Sequence, residues 1–166
     1  MHKNEFEQLH ATGKYTLRRA TNEDGSRVWV LISQVLASYG IVTNAQTTEQ
    51  DLTDLEGNFW ALGGAFFVLL AGDTMIGTVA LRRESPQACE LGRMYLAAEH
   101  RGQGFSRRLF DHALSEARIR GFREMHLKTA SVLKEAMALY ERAGFRLVPG
   151  QKAVGNCDRV MRMNLP

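Results

Sequence analysis

Residues 90–108 read ELGRMYLAAEHRGQGFSRR: a strand, a short loop holding Gly102 and Gly104, and a helix that begins at once. A helix start leaves its first N–H groups without intrahelical acceptors and carries the positive end of the helix dipole. Glycines let the chain turn sharply there and let an anion approach the main chain closely. Arg101, Arg107 and Arg108 add positive charge around the turn. The pattern predicts a diphosphate site formed mainly by backbone N–H groups from Gly102 to Arg107. Two glycines between a strand and a helix also fit a plain turn. A dinucleotide fingerprint would need a third glycine, and a nucleotide-triphosphate loop would need Gly-Lys-Ser/Thr; neither stands here.

The rest of the chain supplies a sheet for that junction. Residues 15–20 alternate as a strand, and Thr21 to Asp24 resemble a capping box. Val28, Leu31, Ile32, Val35, Leu36 and Tyr39 recur at helical spacing, with Gly40 placed to end the helix. The acidic segment 47–60 predicts a second helix. Residues 65–71 and 75–82 read as strands joined by a tight turn at Gly72-Asp73, and 89–96 as a fourth. The helix after the glycine loop runs to about residue 120, with Leu109, Phe110, Ala113, Leu114 and Ala117 on one face. A strand at 124–129, a helix at 133–143 and strands at 145–148 and 159–165 complete the order β-α-α-β-β-β-α-β-α-β-β. That order predicts an α/β domain with one mixed sheet flanked by helices. Residues 1–14 read as an N-terminal extension and 15–166 as the domain.

Composition narrows the partners. At 166 residues and 45% hydrophobic content, the chain can bury one core and no second large one. A net charge of +3 is too mild for a dedicated nucleic-acid binder. The longest apolar run, 65–71, is too short to cross a bilayer, and the polar start is no secretory signal. Cys89 and Cys157 lack metal-ligand spacing; reduced thiols in the cytoplasm are expected, the alternative being one disulfide.

Three stretches in order resemble the GNAT family of N-acetyltransferases. Arg101, Gly104 and Ser106 are similar to its loop signature, with Ser106 standing where the family carries Gly or Ala; its small side chain still permits close packing. Arg93-Met94-Tyr95-Leu96 resembles the family's fourth strand, and AMALYERAGF (136–145) the helix that presents a tyrosine and ends at Gly-Phe. The resemblance runs from Tyr15 to Leu165. It implies the acyl-CoA N-acyltransferase fold, a mostly antiparallel sheet splayed after strand four, with acetyl-CoA as co-substrate and no metal. Met94, Tyr95 and Leu96 would then meet the pantetheine arm, and Arg101, Gly102, Gln103, Gly104, Phe105, Ser106 and Arg107 the diphosphate.

Aminolysis of a thioester needs a neutral amine, a polarised carbonyl and a proton for the departing thiolate. The resemblance assigns the proton to Tyr140 and the oxyanion to a backbone N–H near Leu96, with direct attack and no acyl-enzyme. Periodicity alone equally lets Tyr140 fill the helix's apolar face. Glu90 lies eleven residues before Arg101, the spacing at which histone-acetylating relatives carry their strand-four glutamate, and by that resemblance is the candidate base; the alternative is a structural carboxylate. Relatives that acetylate ribosomal-protein N-termini carry a glutamate where this chain has Lys128, and many carry asparagine where it has Leu133. The acceptor is expected to be a primary amine of a small molecule or peptide. A protein lysine, an aminoacyl-tRNA, or a non-catalytic acyl-CoA-binding module are the alternatives. Glu49, Asp51, Asp54 and Glu56 would attract a cationic amine or form a solvated face, and Tyr39, Phe59 and Trp60 would line a pocket or the core. No membrane or nucleic-acid partner is expected, and a homodimer is a permitted assembly.

Overall fold

The computed structural model describes residues 14–44, 46, 49–151, 155 and 157–166, so the expected N-terminal extension lies almost wholly outside them. Among the described residues, seven strands form one sheet: β1 (Tyr15–Arg19), β2 (Ala65–Ala71), β3 (Thr74–Arg83), β4 (Ala88–Leu96), β5 (Glu124–Thr129), β6 (Arg146–Leu147) and β7 (Arg159–Asn164). Their spatial order is β1-β2-β3-β4-β5-β7-β6. Only β4 and β5 run parallel; the other neighbours are antiparallel. Helices α1 (Gly25–Ala37), α2 (Phe105–Ile119) and α3 (Lys134–Ala143) cover the sheet. Among the described residues no helix is long and apolar enough to cross a membrane.

The apolar pattern explains the layering. Strand β2 is buried along nearly its whole length, because helices pack on both of its faces. Phe66, Val68 and Leu70 join Val28, Ile32 and Val35 of α1 in one core. Phe67 and Leu69 point the other way, into a core with Leu109, Phe110, Ala113 and Ala117 of α2. Burying each of the Val, Ile, Leu and Phe side chains among them stabilises the fold by roughly 1.5–3 kcal/mol. Helix α2 stops where Gly121 adopts φ 82° and Phe122 N–H donates to Ala117 O at 3.0 Å, closing the last turn. Helix α3 stops the same way, with Gly144 at φ 111° and Phe145 N–H on Tyr140 O at 3.0 Å.

Two expectations need correction. The second helix over 47–60 does not form: Gln50–Thr53 makes one 3₁₀ turn and Glu56–Trp60 a single π-helical turn, and residues 47 and 48 lie outside the described set. Asp54 breaks the run, with a non-helical backbone (φ −144°, ψ 84°) and a carboxylate that accepts the Gly57 N–H at 2.8 Å. That local bond competes with helix continuation. Leu52, Leu55 and Phe59 still face the core, so the helical spacing marked burial without a helix. The sixth strand is Arg146–Leu147 alone, shorter than 145–148, since Phe145 is drawn into the core.

Candidate active site

One irregularity in β4 shapes the site. Thr78 pairs with Tyr95 and Ala80 with Gly92, so Arg93 and Met94 together oppose Val79: a β-bulge. Arg93 sits at φ 49°, the one positive value outside glycine among the described residues, and Thr78 Oγ1 donates to Arg93 O at 2.7 Å across the bulge. Before it, β4 and β5 pair from Ala88–Glu124 to Leu91–Leu127; beyond that they part. Ala97 N–H donates to Ile76 O at 2.7 Å on the β3 side, so Leu96 N–H, one residue earlier, points to the opposite edge, toward the opening.

A cavity of about 290 Å³ runs from that opening to the start of α2. Gly102 and Gly104 hold φ of 74° and 86°, values that L side chains rarely adopt, and a side chain on either would meet open space. The first bond of α2 is Arg108 N–H to Gly104 O, so the N–H groups of Phe105, Ser106 and Arg107 precede the helical ladder. Of the ten residues the sequence reading offered for the cofactor, Met94, Tyr95, Leu96, Arg101, Gly102, Gly104, Phe105, Ser106 and Arg107 line this cavity. Gln103 does not; its Nε2 donates to Glu99 O at 3.3 Å on the surface. Phe105 is buried against Tyr15 with ring centroids 4.6 Å apart, so it anchors the loop by its side chain. Arg101 lies 5.3 Å from the Tyr39 ring, which puts Tyr39 at the cavity mouth. Unbonded amides beside two arginines, opening on an apolar slot, fit a diphosphate with a pantetheine tail.

On the α1 side of the bulge lies a second cleft of about 690 Å³. Met94, Tyr95, Leu133, Ala136 and Tyr140 line both spaces. Tyr140 is 6% exposed, packed 5.8 Å from Phe145 and 6.2 Å from Phe110 by ring centroids. Burial pushes its phenol well above the usual tyrosine range, helped by Tyr95 and Cys157 nearby. Burial also lifts Tyr95 to about 12, against the pull of the Arg93 cation. Glu90 stands in the cleft wall and pairs with Lys128 Nζ at 3.2 Å.

The acidic residues of 49–56 resolve differently from either reading of them. Arg93 binds Glu49 and also Asp51, at 2.6 Å, and Arg82 adds a bond to Asp51 at 2.7 Å. Asp54 and Glu56 instead bind Asn22 ahead of α1. Of the three aromatics, Tyr39 and Phe59 reach the cavities. Trp60 lies instead between Arg19, 3.7 Å from its ring, and Arg120, 5.3 Å away. The sequence reading missed Cys157 in the cleft wall; both cysteines are free thiols, and burial raises each. It offered no signal for the Arg93 cluster, whose partners lie more than forty residues away in the chain. Among the described residues no group of three or more metal-ligating side chains gathers.

A sheet that parts beyond Leu91, with a glycine-led helix start at the opening, has the layout expected of the acyl-CoA N-acyltransferase fold. Residues 18–145 match the family model for the acetyltransferase (GNAT) family, and the chain belongs to that family. It is 32% identical to the uncharacterized N-acetyltransferase YjgM of Escherichia coli (strain K12), over 89% of this chain and 92% of that protein. The mouse protein named probable N-acetyltransferase family 8 member 5 is 29% identical over 61% of this chain, which spans about half of that relative (47%). A Staphylococcus aureus GNAT acetyltransferase structure superposes with a TM-score of 0.85 at 18% identity, covering 92% of this chain and 99% of that one. The protein is accordingly an acetyl-CoA-dependent N-acyltransferase with a mixed α/β fold.

Proposed function

We propose that the chain transfers the acetyl group of acetyl-CoA to a primary amine of a small molecule or peptide by direct attack, with Tyr140 as general acid and Glu90 as general base. The observation that carries this is the position of Tyr140, on the wall shared by the cofactor cavity and the cleft. The diphosphate lies on the N–H groups of residues 102–107, and the pantetheine arm runs past Met94, Tyr95 and Leu96. Leu96 N–H donates to the carbonyl oxygen as charge develops there. Glu90 takes a proton from the acceptor's ammonium, freeing its lone pair. The nitrogen then forms the new C–N bond, the C–S bond breaks, and Tyr140 gives its proton to the departing sulfur. The nitrogen, which still carries two protons, returns one to the Tyr140 oxygen, so that the amide leaves neutral and the phenol is restored. A phenol raised by burial stays protonated at neutral pH, which suits a donor and not a base. The reading places the protein in the cytoplasm, which free Cys89 and Cys157 support.

Release of free thiol from acetyl-CoA across a panel of primary amines tests this directly. Sustained, amine-dependent turnover is expected. Tight coenzyme A binding with no thiol release from any amine would overturn the enzyme reading in favour of a binding module.

A further inference from the structure

The charges around the cleft say what the acceptor carries besides its amine. Among the described residues, every carboxylate of the wall already has a cationic or histidine partner. Glu49 and Asp51 hold Arg93, Asp51 also holds Arg82, Glu84 lies 3.1 Å from His126, and Glu90 lies 3.2 Å from Lys128. These pairs differ in how easily they exchange. Glu49 is 4% exposed and Arg93 18%, so that pair is fixed. Lys128 is 51% exposed on a flexible four-carbon stem, while Glu90 is 20% exposed. Lys128 therefore stands as an ammonium in the place an acceptor's ammonium would take at Glu90. An incoming amine displaces it, and the displaced cation is left beside the bound acceptor.

We propose that the acceptor is an amino carboxylate, its amine on Glu90 and its carboxylate on Lys128. The inference rests on Glu90 receiving the acceptor's amine. Lys128 follows Leu127, the last β5 residue paired to β4, so it stands at the edge of the opening where the amine must arrive. Arg82 is the cross-strand partner of Glu90, which places a second cation on the other side. An amino carboxylate exchanges one ion pair for two and leaves no charge uncompensated. A polyamine has the opposite fate: its second ammonium finds Glu49 and Asp51 held by Arg82 and Arg93 and Glu84 against His126, and the displaced Lys128 is left with no carboxylate. The selection lies in binding, since Lys128 gives and takes no proton in the transfer.

Matched amines test it on the full-length protein with saturating acetyl-CoA: leucine against 3-methylbutylamine, phenylalanine against phenethylamine, and spermidine alone. Each amino acid is expected to exceed its decarboxylated partner in kcat/KM by about tenfold, the size of one charged hydrogen bond, with the difference in KM. Lys128→Met should collapse that ratio toward one, and Lys128→Arg should restore it. Spermidine or the simple amines reacting as well as the amino acids would overturn the proposal, as would a ratio unmoved by Lys128→Met. Either result leaves amine acetylation standing. No thiol release from any member of the panel would overturn this proposal and the small-amine reading together.

Discussion

Tyr140→Phe lowers kcat by about 100-fold or more, the scale of a lost general acid, while KM for acetyl-CoA changes little. The ring is retained, and with it the packing against Phe110 and Phe145, so the variant keeps its fold. What goes is one O–H held in an apolar setting on the wall between the two cavities. An acetyl donor whose thiol is strongly acidic needs no proton on leaving, so an aryl thioester should narrow the deficit. Steady-state kinetics with both donors decide the matter. A full rate with acetyl-CoA returns Tyr140 to a packing role. An equal deficit with both donors moves its effect to a step other than sulfur departure.

Arg93→Ala destabilises the fold by about 3–5 kcal/mol, the usual cost of removing one partner from a buried pair. Glu49, 4% exposed, would be left as a carboxylate with no facing guanidinium, and Asp51 would keep Arg82 alone. Thermal unfolding should show a fall in Tm of roughly 10 °C. Adding Glu49→Gln to Arg93→Ala should recover part of the loss, because the stranded charge goes with it. Arg93→Gly relieves the positive φ but loses the same ion pairs, so it too should fall below the native protein. An Arg93→Ala variant as stable as the parent would mean that the cluster contributes nothing net. The cluster also ties the 49–53 turn to the bulge, which links the cleft wall to the strand that opens the sheet.

Local patterns carried most of the fold. The unbroken apolar run of 65–71, the turn at Gly72-Asp73 and the apolar stripe of α2 are properties of neighbouring residues, and each element formed where expected. The glycine junction was legible for the same reason, since a helix start and its free amides are local. What failed was the acidic segment, where Leu52, Leu55 and Phe59 kept helical spacing but Asp54 and its own carboxylate stopped the helix. Arg93 lies in the fourth strand as read, but its left-handed backbone comes from the bulge against β3, and its carboxylate partners stand more than forty residues away in the chain. Cys157 escaped notice because nothing beside it in sequence marks a cavity wall; the cleft exists only after β4 and β5 part.

The most direct test of the account is a crystal structure of the protein with acetyl-CoA. The diphosphate should sit within hydrogen-bond distance of the N–H groups of residues 102–107, and the acetyl carbonyl at the gap between β4 and β5, near Leu96 N–H and the Tyr140 hydroxyl. A diphosphate bound elsewhere, or an acetyl group outside that gap, would contradict it.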